Sequence, residues 1–110
     1  MKITVIGAGN MGGSLVHGWC QAGLASQITI TARTQATLER FFTLYPELTA
    51  TTDNALAVGG ADVVVLAVKP WLVDEVIEQI KKTLCVSNPL LVSVAAGVRN
   101  ALIKIGRAHV

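Results

Sequence analysis

Short β-branched runs alternate along this chain with segments whose apolar residues recur at helical spacing. The first run, Ile3 to Ile6, predicts a strand. From Met11 to Gly23 the residues Leu15, Val16, Trp19 and Cys20 follow the period of an amphipathic helix, which Gly23 is suited to stop. Ile28 to Ala32 opens with alternating isoleucine and threonine and predicts a second strand, followed by a helix that carries Leu38, Phe41 and Phe42 and ends near Pro46. Leu48 to Thr51 predicts a short third strand. Asp53 is placed to cap a brief helix through Val58, which Gly59 and Gly60 then end.

Ala61 to Val68 is nearly all apolar, as in a strand buried on both faces, and Pro70 closes it at a position suited to a helix start. From Trp71 to Leu84, the residues Val73, Val76, Ile77, Ile80 and Leu84 form one stripe opposite Asp74, Glu75, Glu78, Lys81 and Lys82. That charged run is read as a solvated helix face and not as a site. Leu90 to Val94 predicts a last strand, followed by Ala95, Ala96 and Gly97, whose small side chains let a ligand approach the backbone. Strands alternating with helices in this way predict an α/β fold, a Rossmann-like, doubly wound parallel sheet in three layers.

Composition narrows the possible partners. The chain has 110 residues, 52% of them apolar, enough for one domain with a hydrophobic core. Nine basic and seven acidic residues give a net charge of +2 without a cluster that would make a nucleic-acid footprint. No apolar run approaches the roughly 20 residues that span a bilayer as a helix, so no membrane partner is expected. Gly7, Gly9, Gly12 and Gly13 would break the apolar core of a secretion signal. Cys20 and Cys85 lie within apolar stretches and are read as small buried hydrophobes with reduced thiols, which points to the cytoplasm. His17 and Cys20 share a helical face, but two ligands do not close a metal site, and no metal is expected.

The chemistry is concentrated in Gly7-Ala8-Gly9-Asn10-Met11-Gly12, a G-x-G-x-x-G spacing between a predicted strand and a predicted helix. Gly7 permits the tight turn, Gly9 leaves room for a pyrophosphate against the backbone, and Gly12 lets helix and strand pack closely. The helix N-terminus offers unpaired N–H groups to the anion. No Gly-Lys-Ser/Thr follows, so a mononucleotide phosphate loop fits less well. An NAD-selective site carries an acid at the end of the second strand, but this chain reads Thr31-Ala32-Arg33-Thr34. Arg33, helped by the Thr34 hydroxyl, is suited to a 2′-phosphate. NADP is therefore the expected cofactor, with NAD as the alternative.

Three further segments, taken with the loop, resemble the pyrroline-5-carboxylate reductase family, which reduces a cyclic imine to L-proline with NAD(P)H. They are Thr52-Asp53-Asn54, Val64-Val65-Leu66-Ala67-Val68-Lys69-Pro70 and Val92-Ser93-Val94-Ala95-Ala96-Gly97-Val98, in a resemblance running from Lys2 to about Leu102. The resemblance implies that Ile6, Gly7, Ala8, Gly9, Asn10 and Met11 line the pyrophosphate, Thr34 the adenosine phosphate and Asn54 a ribose. It places Ala67, Val68, Lys69 and Pro70, with Val94, Ala95 and Ala96, beside the nicotinamide. These segments follow successive strand ends, where open α/β sheets bind ligands. Asn54 has a second reading as a neighbour of a helix cap. Lys69 is a charged residue at a strand end, but nothing in the sequence shows what would make it an acid, and no catalytic residue is assigned.

The resemblance also implies 1-pyrroline-5-carboxylate as substrate, a place in proline biosynthesis, and a homo-oligomer whose interface and substrate-carboxylate site lie in a C-terminal helical domain that this chain lacks. Arg99 and Asn100 depart from the hydroxyl-bearing residues expected after the Ala-Ala-Gly-Val segment. Ile105 to Val110 have neither the period nor the polarity of the helix expected there, and they match the translation of a common sequencing-adapter word. We therefore expect residues 1–104 to be a dinucleotide-binding domain and 105–110 a non-native tail in which His109 has no role. Two other functions share this fold: another NADP-dependent reductase such as a β-hydroxyacid dehydrogenase, and a noncatalytic NADP-binding module. Ala67 to Pro70 speak against the first.

Overall fold

The computed structural model describes residues 1–94. Its strands are β1 (Ile3–Ile6), β2 (Ile28–Thr31), β3 (Thr49–Thr51), β4 (Val63–Leu66) and β5 (Leu90–Ser93). They form one parallel sheet in the order β3-β2-β1-β4-β5. Helices α1 (Asn10–Gln21), α2 (Gln35–Leu44), α3 (Asn54–Val58) and α4 (Val73–Ser87) lie in the successive connections. The chain winds outward from β1 to β3 and then returns to place β4 on the other side of β1. This reversal opens a crevice at the carboxyl ends of β1 and β4.

The period of two along each strand divides the core between the faces of the sheet. Val5, Ile30 and Val65 point to one side and pack with Val16, Leu38 and Phe41. Their neighbours Ile6, Val64 and Leu66 point to the other side and pack with Val58, Ile80, Leu84 and Leu91. These two clusters make the three layers, and each fully buried aliphatic side chain contributes about 1.5–3 kcal/mol. The buried Thr4 hydroxyl donates to the Ala57 carbonyl at 2.7 Å, tying β1 to α3. Asp53 caps α3 by accepting from the Leu56 amide at 3.1 Å, as its spacing predicts.

Several boundaries differ from the sequence reading. Helix α1 begins at Asn10, and β4 occupies only Val63–Leu66 of the apolar run. Leu48 is buried but precedes β3, so it packs from a loop. Pro70–Leu72 forms a 3-10 turn ahead of α4, which leaves Trp71 75% exposed. A second 3-10 turn, Ala25–Gln27, joins α1 to β2. Phe42 is 52% exposed because it follows Phe41 by one helical step and turns off the buried face. The same geometry corrects the reading of Cys85, which is exposed beside the buried Leu84, whereas Cys20 is buried as expected. Ala95, Ala96, Gly97, Arg99, Asn100 and residues 105–110 lie outside the described residues. Among the described residues no helix is long and apolar enough to cross a membrane, and no cluster of three metal-ligating side chains occurs.

Candidate functional site

Hydrogen bonds just beyond the strand ends draw the connecting loops together. The amides of Gly7 and Ala8 both donate to the Thr31 carbonyl, at 3.1 and 2.8 Å, joining the turn after β1 to the end of β2. Ala67 N donates to Ile6 O at 2.8 Å, and Val94 N to Leu66 O at 2.7 Å. The residues that follow β1, β2, β4 and β5 are thereby held around one opening.

That opening is a cleft of about 570 Å³. Gly7, Ala8 and Gly9 line it from β1, Ala32, Arg33 and Thr34 from β2, Ala67, Val68 and Lys69 from β4, and Val94 from β5. Thr37 and Leu72 complete the wall. Gly7 has φ +94°, a conformation that a side chain would strain, and a Cβ there would also stand 2.8 Å from the Ala67 carbonyl oxygen. Gly9 differs, because a Cβ added there meets nothing within 4 Å and would project into open space.

Gly9 is also the N-cap of α1, without a side-chain capping bond and with no acidic residue in the first turn. The first helical bond runs from Gly13 N to Gly9 O at 2.8 Å, so the amides ahead of it have no partner within the helix. Helix α2 shows the contrast: Thr34 caps it, its Oγ1 accepting from the Thr37 amide at 3.4 Å. A bare N-terminus over a side-chain-free turn is the arrangement that receives an anion. Arg33 and Lys69 are exposed at the rim and supply positive charge.

The predicted residues do not all meet. Ile6 is 1% exposed and belongs to the core, and Gly12 is buried where α1 crosses β1. Asn10 and Met11 form the first turn of α1, and Pro70 opens the 3-10 turn without lining the cleft. Asn54 is the first residue of α3, and its amide nitrogen donates to Gln79 Oε1 of α4 at 2.7 Å, away from the cleft wall. Sequence reasoning missed Ala32, Thr37 and Leu72. For Thr37 a signal existed, since it lies one turn beyond the cap Thr34 and so faces the same end of α2. Leu72 carried none, because its direction depends on the 3-10 turn.

Residues 2–97 match the family described as NADP oxidoreductase coenzyme F420-dependent. The chain is 40% identical over 101 residues to a pyrroline-5-carboxylate reductase from Vibrio alginolyticus, covering 88% of this chain and 35% of that protein. Its structure is similar to that of a pyrroline-5-carboxylate reductase from Coxiella burnetii, with TM-score 0.81 and 37% identity over 87% of this chain and 36% of the other. An imine reductase from Myxococcus stipitatus in complex with NADP+ is similar with TM-score 0.74 and 28% identity, over 88% of this chain and 32% of that one. The chain thus spans about a third of the length of the curated relatives it matches.

Proposed function

The chain belongs to the NADP oxidoreductase coenzyme F420-dependent family, and from that premise we propose that its cleft holds NADP as the cofactor-binding part of a pyrroline-5-carboxylate reductase. One observation carries this reading: the residues after β1, β2, β4 and β5 line a single cleft beneath the uncapped N-terminus of α1, at a glycine whose missing side chain leaves open space. The first-turn amides of α1 would bind the pyrophosphate, with Gly9 admitting it to the backbone. Arg33 and Thr34 would hold the 2′-phosphate that separates NADP from NAD. Ala67, Val68 and Lys69, with Val94, would flank the nicotinamide end. Asn54, with one amide hydrogen donated to Gln79, would meet a ribose through its remaining N–H and its Oδ1.

When bound, the reduced nicotinamide would supply a hydride to the electrophilic carbon of 1-pyrroline-5-carboxylate in its protonated imine form, giving L-proline and the oxidised nucleotide. This chain's residues would contribute position, with the small apolar side chains of Ala67, Val68 and Val94 lining the cleft beside the reacting face. Lys69 is exposed and has no catalytic part in this scheme. The full-length protein would act as a homo-oligomer in the cytoplasm, in proline biosynthesis.

Calorimetric titration of the chain with NADPH and NADH tests the cofactor reading, which predicts tighter binding of NADPH. Oxidation of NADPH driven by 1-pyrroline-5-carboxylate, in the polypeptide encoded by the whole genomic reading frame, tests the activity. Turnover of a β-hydroxyacid in place of the imine would assign a different reductase. Nucleotide binding without any hydride transfer would make the protein a noncatalytic module.

A further inference from the structure

A second groove, of about 340 Å³, lies between α1 and α2 and is lined in part by Ser14, His17 and Arg40. Ala8, Gly9 and Thr37 line this groove as well as the dinucleotide cleft, so the two hollows meet at the glycine turn. Arg33 stands on the cleft side of Thr37 and Arg40 on the groove side. Side chains on an α-helix lean toward its N-terminus, which carries Arg40 back over the turn that holds Thr37.

Both arginines are exposed, and neither forms an ion pair among the described residues, where Lys81–Glu78 does so at 3.6 Å. Glu39 precedes Arg40 on α2 and borders a separate hollow with it, without pairing. His17 is already engaged, its Nδ1 lying 2.8 Å from the Tyr45 hydroxyl and its ring packed at a tilt of 34° with its centroid 4.9 Å from that of Phe41. Arg40 is therefore the cation on the groove side that is free to meet a ligand, and it flanks Thr37 opposite Arg33 without a carboxylate to neutralise it.

Resting on the NADP reading above, we propose that Arg40 is a second specificity-determining cation, which clasps the 2′-phosphate from the side of Thr37 opposite Arg33. A phosphomonoester presents three acceptor oxygens, enough for two guanidinium groups and the Thr37 hydroxyl. The Thr37 hydroxyl lies 3.0 Å from that of Thr34, so the hydroxyl pair continues the line of donors between the two arginines. A dinucleotide with a free 2′-hydroxyl has no charge at the 2′ position to offer Arg40, so the residue acts on the choice of cofactor and not on dinucleotide affinity in general.

The test compares the wild-type chain with Arg40→Gln and Arg40→Lys by titration with NADPH, NADH and adenosine 2′,5′-bisphosphate. Arg40→Gln should weaken NADPH and the bisphosphate by roughly tenfold, leave NADH unchanged and flatten the salt dependence of NADPH binding. Arg40→Lys should recover part of the loss. An unchanged NADPH-to-NADH ratio in Arg40→Gln overturns the inference while leaving the cofactor reading intact, and so does an equal loss for both nucleotides. Failure of the wild-type chain to bind either nucleotide overturns the cofactor reading itself, and the role of Arg40 with it.

Discussion

Gly12 of α1 is packed so closely on Gly7 that a Cβ at position 12 would overlap the Gly7 carbonyl oxygen and stand 3.0 Å from Ala67 Cβ. The helix can approach the end of β1 this closely only with a hydrogen at that position. Gly9, three residues earlier, touches nothing that a Cβ would meet.

These two glycines should therefore respond differently to the same change. Gly12→Ala should lower stability by about 1–3 kcal/mol, because rigid backbone must move, as read from urea denaturation. Gly9→Ala should melt near the wild-type temperature yet lose NADPH affinity by at least about tenfold, the methyl group filling the space assigned to the pyrophosphate. Equal unfolding curves for Gly12→Ala and wild type would contradict the packing described here.

Gly18 lies inside α1, where an added Cβ meets nothing within 4 Å. Gly18→Ala should raise stability by about 0.4–1 kcal/mol, since alanine has fewer unfolded conformations to lose. A higher urea midpoint with an unchanged slope is the expected signature.

Arg33 lies on the cleft wall at the end of β2, where no acid stands to accept the ribose hydroxyls of NAD. Arg33→Ala should weaken NADPH by roughly ten- to a hundredfold and leave NADH nearly unaffected. Equal constants for the two nucleotides in the wild-type chain would remove the ground for assigning Arg33 to the phosphate.

Burial pushes the Cys20 thiol above its ordinary value of 9.0. Above that pH the unfolded chain has released a proton that the native chain still holds, so the native state binds more protons and stability falls as pH rises. The contribution is fully present below the unfolded value and is lost as pH climbs through the folded one. Urea midpoints taken from neutral to alkaline pH should decline more steeply in wild type than in Cys20→Ala. Parallel declines would show that the thiol carries none of the effect.

The strands and the glycine turn are legible in the sequence, because β-branched runs and the G-x-G-x-x-G spacing are local signals, although the apolar run 61–68 does not show that β4 stops at Leu66. Asp53 and the apolar stripe of α4 were legible for the same reason. Cys85 was misread because its apolar neighbours say nothing about which way a helical step turns it. The Asn54 amide meets Gln79, a partner 25 residues away that no local pattern reveals.

By itself, then, the sequence determined an alternation that buries a parallel sheet between helices and a glycine-rich turn between β1 and α1. These follow from steric and periodic rules acting over a few neighbouring residues. Tertiary structure alone decided the strand order β3-β2-β1-β4-β5, which places Ala67 against Gly7 and Val94 beside Leu66. It also decided that the cleft lined by Arg33 and the groove lined by Arg40 both reach Ala8 and Gly9 of the glycine turn. Those relationships join segments far apart in the chain, and they are set by burial of the two apolar faces together rather than by any one segment.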